Sequence, residues 1–396
     1  MNNVKILHLV IDLSGFGGAE MTLQRYLSQI PDAAKHHRII TLRALRPGPS
    51  VGAMIKALGI DIETAAIDRL TDLPLGLFRL MRLTRRSPVR ALSAWLYYPA
   101  LLALILRIFL PKNVPVIWHI RSLPFGGFLT KPARYLTQRL LAPASRMKAV
   151  TIISNSDAAR RAHQDLGYET ERWFVIPNAI DADRYRPDPS RRLTMRHALA
   201  LDEEALVLGA VGRNVPEKAY QDLIAAFAQL RAMSPASLKD RLHLIIAGRG
   251  VALDTEPFSH LIAQHQMPKE AISLLGARSD IAELMTAFDV FVMPSRSESF
   301  PNALVEAMST SLPAIATDVG DCHVVLDQDD LIVPKANPKA LAEALLTFLS
   351  LPEKQRSERG AKNRARVIAC YSPDAMVQEF ERVFALAQAT DAPNLK

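Results

Sequence analysis

The chain has 396 residues, a net charge of +8 and 49% hydrophobic residues. This length exceeds one ordinary hydrophobic core and favours two α/β domains, or three. The two cysteines, Cys322 and Cys370, lie far apart in the chain. They exclude a disulfide framework and a cysteine zinc site, and they favour a reducing, cytoplasmic setting.

The first half of the chain alternates short apolar segments with helical patterns, which predicts a parallel sheet. Its opening combines an apolar run, Lys5–Ile11, with a glycine turn, Ser14–Gly18, and a helix, Ala19–Gln29. A strand, a glycine turn and a helix in this order are typical of a Rossmann-like domain. The further predicted strands are His37–Leu42, Val114–Ile120, Val150–Ser154 and Phe174–Asn178.

A turn-rich connector, Ala179–Arg192, precedes a second α/β series. Helices are predicted at Tyr220–Met233, Pro338–Leu351 and, at the end, Pro373–Ala387. The predicted strands of this series are Leu206–Val211, Leu242–Ala247, Ile272–Leu275, Val290–Met293, Ala314–Thr317 and Leu331–Val333. We therefore predict two doubly wound domains joined near residue 185, with ligands bound in a crevice at the carboxyl ends of their strands.

Neither a secretory signal nor a spanning helix is expected. Met1–Val10 lacks a basic segment followed by a long apolar one. The most apolar stretch, Ala91–Leu110, contains Tyr97, Pro99 and Arg107, and its uninterrupted part is shorter than the ~20 residues that a spanning helix needs. We expect this stretch to form a buried or interfacial helix.

The positive charge is concentrated in the first half, with +13 in residues 1–180 and −5 in residues 181–396. No acidic residue lies between Asp72 and Asp157. The basic residues of this interval are Arg79, Arg82, Arg85, Arg86, Arg90, Arg107, Lys112, Arg121, Lys131, Arg134, Arg139, Arg146 and Lys148. A field of one sign attracts anionic surfaces, although a solvated face that keeps the protein soluble would have the same composition.

An apolar stripe at helical spacing, Leu73, Leu77, Leu80 and Leu83, lies within this basic interval. Together the two features favour an anionic membrane surface as partner. Nucleic acid is a weaker alternative, because the interval lacks a helix-turn-helix, a zinc finger and an aromatic stacking motif.

The most specific chemical pattern is MPSRSESFPNALVEA, from Met293 to Ala307, in which seven residues separate Glu298 from Glu306. If Pro301 begins a helix, Glu298 lies in the loop before it and Glu306 lies inside it. Carboxylates accept paired hydrogen bonds from sugar hydroxyls, and helix-start amides bind phosphate. Acidic residues near a helix start are also common partners of the helix dipole, which is the alternative interpretation.

Two cations follow a strand in Gly212–Gln221 (GRNVPEKAYQ). Arg213 and Lys218 would lie at the top of the sheet, where they could hold a diphosphate and offset the charge of a departing one. A solvated pair of cations is the alternative.

Two weaker signals lie in the first half. The loop with Gly17 and Gly18 permits close approach of a phosphate or sugar, although it does not form G-x-G-x-x-G and a tight structural turn is the alternative. His119 and Arg121 stand at a strand end, where such domains contact ligands, and His119 could be a base or a buried structural histidine.

Together these motifs resemble family 4 of the retaining glycosyltransferases. The family pattern E-x7-E stands here in SRSESFPNALVEAMSTSLPAIATDVG, from Ser295 to Gly320. Its G-R-x-x-x-E-K element matches Gly212–Lys218, and its first glycine loop matches Gly17–Glu20. The Trp95–Arg121 stretch is similar to a subgroup associated with bacterial surface polysaccharides, such as lipopolysaccharide or capsule.

The resemblance implies an α/β fold of GT-B type, with two doubly wound Rossmann-like domains facing each other across a cleft. The implied domains are residues 1–185 on the acceptor side, residues 186–372 for the nucleotide-sugar, and residues 373–396 as a closing helix packed on the first domain. It also implies a nucleotide-sugar donor, no metal and no other cofactor.

The same resemblance implies roles for individual residues. Glu298 would contact the donor sugar at the reacting centre, Glu306 would bind the ribose, and Arg213 and Lys218 would bind the diphosphate. The remaining donor-side candidates are Ser299, Phe300, Pro301, Asn302, Gly17 and Gly18. His119 and Arg121 are the acceptor-side catalytic candidates.

The chain departs from the family pattern at several positions. Ser299 and Ala219 replace glycines, and Gly320, Asp321 and Cys322 replace a commoner glycine pair. Arg121 occupies the place of a frequent histidine, which puts the acceptor-side catalytic role in doubt.

We expect a hexosyltransferase, cytoplasmic and peripheral on the inner face of the plasma membrane, that transfers a sugar with retention to a lipid-linked saccharide or another envelope glycan. A synthase acting on a small soluble acceptor, such as a sugar phosphate, would share every donor motif. A non-catalytic binding subunit of an envelope glycan assembly is the third hypothesis, and a Rossmann oxidoreductase lacks its fingerprint here.

Overall fold

The computed structural model describes residues 5–124, 132–253 and 256–389. The chain divides into two compact units. The first comprises Met1–Ala179 together with Pro373–Lys396, and the second comprises Ile180–Ser372. Residues 1–4, Lys131 of the basic interval and residues 390–396, the end of the predicted closing segment, lie outside the described residues.

The first unit is built on a parallel sheet, with seven strands among the described residues in the order β3-β2-β1-β4-β5-β6-β7. Most of these strands are nearly continuous apolar runs, as expected of strands covered on both faces. They are β1 Lys5–Val10, β2 His37–Thr41, β3 Ile62–Thr64, β4 Val89–Trp95, β5 Val116–Ile120, β6 Val150–Ser154 and β7 Trp173–Val175.

Helices cover both faces of this sheet, and two separate apolar clusters fill the space beneath them. Serine side chains cap the N-termini of two of these helices. Ser50 accepts a hydrogen bond from the Ala53 amide, and Ser156 accepts one from the Ala159 amide. The helices are α1 Gly18–Ser28, α2 Ala33–His36, α3 Val51–Ala57, α4 Leu73–Thr84, α5 Tyr97–Arg107, α6 Pro132–Ala144 and α7 Asp157–Gln164.

The second unit has a parallel sheet of its own, with six strands among the described residues in the order β10-β9-β8-β11-β12-β13. The strands are β8 Leu206–Val211, β9 Leu242–Ala247, β10 Ile272–Leu274, β11 Val290–Met293, β12 Ala314–Thr317 and β13 Ile332–Val333. The helices are α8 Pro189–Ala198, α9 Tyr220–Met233, α10 Ala236–Lys239, α11 Phe258–Gln264, α12 Ile281–Thr286, α13 Asn302–Ser309, α14 Cys322–Leu326, α15 Pro338–Leu349 and α16 Glu353–Cys370.

The last helix, α17 Pro373–Ala389, belongs to the first unit although it follows the second in the chain. Its Phe380 and Phe384 are fully buried, and their rings contact Tyr26 of α1. The hydroxyl of Tyr26 also donates a hydrogen bond to Glu381. One core of the first unit is therefore completed by residues from the end of the chain.

In both sheets the strand order reverses beside the first strand of the unit, between β1 and β4 and between β8 and β11. This is the doubly wound arrangement predicted from the sequence. In such sheets, ligands bind beyond the carboxyl ends of the strands at the point of reversal.

Two predictions about the basic interval are wrong. Ala91–Leu110 is not one helix: its first part is strand β4 and its second part is α5. The sequence ALSAW was merged with the following helix because a fully buried strand and a buried helix are both apolar without a clear period. Among the described residues, no helix is long and apolar enough to cross a membrane.

The apolar stripe Leu73, Leu77, Leu80 and Leu83, which was interpreted as facing a membrane surface, lies largely against the core. Leu80 and Leu83 of α4 are buried beneath the helix, and Leu77 packs against the same cluster, whereas Leu73 is partly exposed. A stripe at helical spacing is the normal core-facing side of a surface helix, which explains the error. The outer face of α4 carries other residues.

Candidate active site

The predicted donor residues lie at the carboxyl edge of the second sheet. Arg213 and Lys218 follow β8, and Glu298 follows β11. These two strands pair in parallel, with Val290 opposite Leu208. Because parallel strands bring their carboxyl ends to one edge, the loop after β8 and the loop after β11 are neighbours.

Lys218 and Glu298 form an ion pair across these loops, with Lys218 Nζ 2.6 Å from Glu298 Oε1. The hydroxyl of Ser295 donates to the same carboxylate oxygen at 2.8 Å. Ser295 is fully buried, and its carbonyl accepts a hydrogen bond from the hydroxyl of Thr317 on β12. The Glu298 carboxylate is thus oriented by groups fixed to three neighbouring segments of the unit.

Arg296 ties the two loops together a second time. Its backbone amide donates to the carbonyl of Glu217 at 2.7 Å. Its guanidinium donates to both carboxylate oxygens of Asp222, in the first turn of α9, at 2.9 and 2.8 Å. This bidentate geometry has directional specificity as well as charge. It fixes the Glu298 loop to the helix that follows Lys218.

A third segment packs against the backbone of Glu298. Gly320 has φ +57°, and a Cβ at this position would lie 2.2 Å from the Glu298 carbonyl oxygen. The neighbouring Asp321 amide donates to the carbonyl of Ser299 at 3.3 Å. Only glycine permits this close approach without displacing the Glu298 loop.

The helix after Glu298 begins as predicted, although one residue later. Pro301 precedes α13, and Asn302 is its first residue. Glu306 therefore lies roughly one turn inside the helix. Phe300 is buried in an edge-to-face contact with Tyr371, so its ring supports the loop from below. The Asn302 amide donates to the Phe300 carbonyl at 3.0 Å and so already has a partner within this turn.

Arg213 stands apart from the Lys218–Glu298 pair. It follows the Gly212 turn directly after β8 and is exposed. Within residues 5–124, 132–253 and 256–389, no carboxylate forms an ion pair with it. The second unit thus presents one cation engaged with Glu298 and a second one open to solvent, both at the same sheet edge.

Tyr220 and Cys322, which lie near Glu298, were not identified as site residues from the sequence. Tyr220 is buried beside Gly212, and its hydroxyl has no hydrogen-bond partner among the described residues. Burial, and then the charge of Glu298, raise the pKa of Tyr220 and of the buried thiol of Cys322. Glu298 therefore has a neutral hydroxyl and a neutral thiol as neighbours.

Of the residues that position Glu298, only Ser295 could have been found from the sequence. It stands three residues before Glu298 in the S-x-x-E part of the pattern. Asp222 carries no motif signal, because its partner Arg296 lies far away in the chain.

The first-unit candidates Gly17 and Gly18 lie where a glycine loop meets a helix. Gly17 is the residue before α1, Gly18 is its first residue, and both are exposed. The Gly17 carbonyl accepts from the Met21 amide, and the Gly18 carbonyl accepts from the Thr22 hydroxyl. The carboxylate of Glu20 already lies over this helix start, since a Cβ on Gly17 would be 2.1 Å from its Oε2, so a phosphate would have to displace it to reach the amides.

The candidate His119 is a core residue, which corrects the prediction of a catalytic base. It is 1% exposed, and its ring stacks on Trp95 with centroids 4.0 Å apart. Phe380 and Phe384 of α17 lie against the same ring. Because the ring is buried among Trp95, Phe380 and Phe384 of the same unit, His119 has a structural role.

His119 belongs to a buried hydrogen-bonded chain that crosses four strands. Its Nε2 lies 2.9 Å from Ser93 Oγ, which lies 2.9 Å from His8 Nδ1. His8 Nε2 lies 3.0 Å from His37 Nδ1. Burial lowers the pKa of all three histidines, that of His37 to about 4, so the chain is neutral near pH 7.

Arg121 is also buried, at the end of β5. It donates to the carbonyl of Ile176 at 3.3 Å and to the side chain of Asn178, which also accepts from Thr22 of α1. Burial lowers the pKa of Arg121 to about 9. In this structure Arg121 therefore holds the segment after β7 against α1, and its guanidinium is not exposed for catalysis.

A metal site would need a cluster of suitable side chains. Within the part of the chain that the structure describes, no group of three or more His, Cys, Asp or Glu residues could hold a metal ion.

Two family models match this chain one after the other. Residues 16–184 match the model described as Glycosyltransferase Family 4, and residues 192–366 match the model described as Glycosyl transferases group 1. The chain belongs to family 4 of the glycosyltransferases. Each unit contains nearly all of one match, so the resemblance to this family is confirmed.

Curated relatives in this family align over part of their length. A D-inositol 3-phosphate glycosyltransferase of Kineococcus radiotolerans is 30% identical over 230 residues, which cover 54% of this chain and 52% of the relative. A UDP-Gal:alpha-D-GlcNAc-diphosphoundecaprenol alpha-1,3-galactosyltransferase of Escherichia coli is 25% identical over 237 residues, 59% of this chain and 60% of the relative. The chain spans about half the length of the curated relatives that it matches.

Among solved structures, Anabaena HepE in complex with UDP is similar over the whole chain. The TM-score is 0.81 at 19% identity, and the match covers 97% of this chain and 100% of that chain. The fold is therefore that of the GT-B glycosyltransferases, as the sequence predicted.

Proposed function

We propose that the protein transfers a hexosyl group, with retention of anomeric configuration, from a nucleotide-sugar to a lipid-linked saccharide or another cell-envelope glycan. The observation that carries this proposal is the Lys218–Glu298 pair at the carboxyl edge of the second sheet, 2.6 Å apart and braced by Ser295. Family membership supplies the reaction class.

The donor would bind with its diphosphate at the loop after β8. A lysine ammonium has three N–H donors, and Glu298 accepts one of them, so Lys218 can bridge Glu298 and a phosphate oxygen. Arg213 is exposed in the loop five residues before Lys218 and would add a second, planar contact. Both cations offset the charge that develops on the departing diphosphate.

The two carboxylates would address different parts of the donor. Glu298 lies in the loop before α13 and would accept hydrogen bonds from the hydroxyls of the transferred sugar. Glu306 lies inside α13 and would bind the ribose. The backbone around Ser299, Phe300 and Pro301 is held by Gly320 and by the Phe300–Tyr371 contact, so the loop is rigid before the donor arrives.

We further propose that the reaction needs no metal ion, because Arg213 and Lys218 supply the positive charge that a metal would otherwise provide. Turnover in the presence of excess EDTA, compared with turnover in Mg²⁺ and Mn²⁺, tests this directly. Loss of turnover in EDTA and recovery on adding metal would contradict it.

Two observations support the proposal of a lipid-linked acceptor. The first half of the chain carries +13 charges, which suits an acceptor with phosphate groups held at an anionic membrane. The E. coli relative is named for an acceptor in which a sugar is attached to diphosphoundecaprenol, a lipid carrier. On this proposal the protein works at the inner face of the plasma membrane.

A small soluble acceptor is the second candidate. The Kineococcus relative is named for D-inositol 3-phosphate, and a sugar phosphate would use the same donor site. Comparing transfer to a lipid-linked saccharide with transfer to a panel of sugar and inositol phosphates separates the two. A non-catalytic binding subunit is disfavoured because Glu298, Arg213 and Lys218 are all retained.

The first experiment is thermal unfolding in the presence of UDP, GDP, ADP and dTDP. The Anabaena neighbour is described with UDP bound, so UDP is the first candidate. A ligand at a hundred times its Kd stabilises the folded state by about 2.7 kcal/mol. Stabilisation by one nucleotide identifies the donor base, and its loss in Lys218→Ala assigns the site. No stabilisation by any of them would contradict the proposed donor site.

A further inference from the structure

The outer face of helix α4 has an unusual composition. The inner face, with Leu80 and Leu83, is buried in the core of the first unit. The outer face, at helical spacing, consists of Leu75, Phe78, Arg79 and Arg82. Phe78 is 59% exposed and Leu75 is 55% exposed. An ordinary solvent-facing helix surface would carry mixed charges at these positions, whereas this one has large apolar side chains and cations alone.

The end of α5 extends this surface. Phe109 is 46% exposed, and the guanidinium of Arg85, just after α4, lies 5.7 Å from the centre of its ring. Ile108 beside it is 77% exposed. We call the continuous surface formed by Leu75, Phe78, Arg79, Arg82, Arg85 and Phe109 the basic-apolar face.

The cations of this face are not neutralised by the protein. Among the described residues, no carboxylate forms an ion pair with Arg79, Arg82 or Arg85. Arg86 differs, because it pairs with Glu63. The nearest acidic side chain along the helix, Asp72, lies before its first turn and accepts from the Arg69 amide. The positive charge of the face is therefore available to an external anion.

The face also contains a concave region. A shallow cavity of about 380 Å³ lies beside α4. It is lined by Phe78, Met81, Arg82, Arg85 and Arg86. Apolar side chains and guanidinium groups thus share one depression, which can hold an anionic head group against the arginines while an attached chain contacts Phe78 and Met81.

We propose that the basic-apolar face docks the protein on an anionic phospholipid bilayer. Exposed aromatic and aliphatic side chains bury their area in the interfacial region of a bilayer, and arginine side chains reach its phosphates while their stems stay in apolar surroundings. This inference deepens the proposed function and rests on it for the reason to be at a membrane, since a lipid-linked acceptor lies there. The contact itself follows from the charge and the exposed apolar area of α4.

Vesicle sedimentation tests the proposal with the full chain. The probes are vesicles of phosphatidylglycerol mixed with phosphatidylcholine, and vesicles of phosphatidylcholine alone. We expect binding to the mixed vesicles only, weakened by high salt. Arg82→Gln with Arg85→Gln should lower the partition coefficient about fivefold for each arginine removed. Leu75→Ser with Phe78→Ser should lower it at least tenfold.

Matched controls come from the second unit. Arg186→Gln with Lys335→Gln removes two exposed cations, and Leu193→Ser with Ile368→Ser removes two exposed apolar side chains. These pairs should leave vesicle binding unchanged. Three results would overturn the proposal: vesicle binding falls equally in the α4 variants and the controls, it does not fall in the α4 variants, or the wild type does not bind mixed vesicles. So would concentration-dependent self-association without vesicles that Phe78→Ser abolishes, because the face would then be a contact between copies.

Measuring UDP stabilisation and transfer to a detergent-solubilised acceptor in the same variants separates this inference from the proposed function. α4 variants that lose vesicle binding but keep both activities support the docking surface. If the wild type binds vesicles but no nucleotide raises its thermal stability, the result supports the docking surface and contradicts the proposed function.

Discussion

Both carboxylate oxygens of Asp222 accept hydrogen bonds from Arg296, at 2.8 and 2.9 Å, and this pair joins the loop that carries Glu298 to the helix that follows Lys218. Asp222 is largely buried, whereas Arg296 is half exposed. The hydrogen bonds of the Glu298 carboxylate come from Lys218 and Ser295 rather than from this pair. We infer that the pair positions Lys218 and Glu298.

Arg296→Ala is therefore expected to lower kcat about tenfold to a hundredfold, because small displacements of reacting groups have effects of this size. The free energy of unfolding should fall by about 1–3 kcal/mol, because Arg296→Ala leaves the largely buried Asp222 carboxylate without this partner. Steady-state kinetics and urea unfolding measure the two effects.

The charge-swapped double variant, Arg296→Asp with Asp222→Arg, should recover most of the lost kcat. Arg296→Lys should recover less, because lysine cannot form the bidentate contact. Equal kcat in Arg296→Ala and wild type would show that the Glu298 loop keeps its position without the pair.

Replacing Glu298 by Gln removes the charge facing Lys218 and keeps the shape. We expect turnover to fall about a hundredfold or more, as for other preorganised electrostatic contacts, with little change in the unfolding temperature. Glu343→Gln, an exposed glutamate on α15, is the matched control and should have wild-type kinetics. Wild-type turnover in Glu298→Gln would remove Glu298 from the active site.

Tyr220→Phe removes a buried hydroxyl that has no partner among the described residues. The second unit should become more stable by about 1 kcal/mol, because an unpaired buried polar group is unfavourable. Tyr168→Phe gives the opposite result in the first unit, since the Tyr168 hydroxyl donates to the Gln138 carbonyl at 3.0 Å. Urea unfolding, followed unit by unit, measures both. A loss of stability in Tyr220→Phe would mean that an ordered water satisfies the hydroxyl.

Acid should destabilise the first unit through His8, His37 and His119. Unfolded histidines take up protons near pH 6.5, whereas burial keeps the folded pKa values lower, that of His37 at about 4. The unfolded state then binds more protons, so stability is complete above about pH 6.5 and falls as the pH drops from there to about 4.

At pH 4, His37→Gln should reduce the loss of unfolding free energy by about 3 kcal/mol. This value follows from the difference between the unfolded and the folded pKa of His37. Unfolding free energies measured between pH 7.5 and pH 4 give the slope. The exposed His260→Gln is the control and should not change it. An unaltered slope in His37→Gln would mean that His37 takes up its proton over the same pH range in the folded and the unfolded state.

Much of the fold could be predicted because its strands are short apolar runs between helical patterns. Val150–Ser154, Leu206–Val211, Leu242–Ala247, Val290–Met293 and Ala314–Thr317 were predicted with their observed bounds. Strand β4 was missed because its buried residues run into the equally apolar α5, and β3 was missed because it is short and only partly buried.

Site residues could be predicted where they belong to a recognisable pattern of neighbouring residues in the chain. Glu298 and Lys218 each follow a strand within a recognisable pattern, and the sheet brings those strand ends together. Tyr220, Cys322 and Asp222 were not predictable, since their relation to Glu298 exists only after three separate loops meet. His119 was misjudged because its position at a strand end is visible in the sequence, whereas the cover supplied by α17 from the end of the chain is not.

The chain leaves the first unit after Ala179 and returns to it only at Pro373. A ribosome therefore completes the second unit before it has made the helix whose Phe380 and Phe384 fill the first unit's core. During synthesis the first unit exposes the apolar groove that α17 will occupy, while the second can already fold. The first unit, although its synthesis begins before that of the second, is thus finished after it, and nascent chains halted shortly before Pro373 should depend most on chaperones.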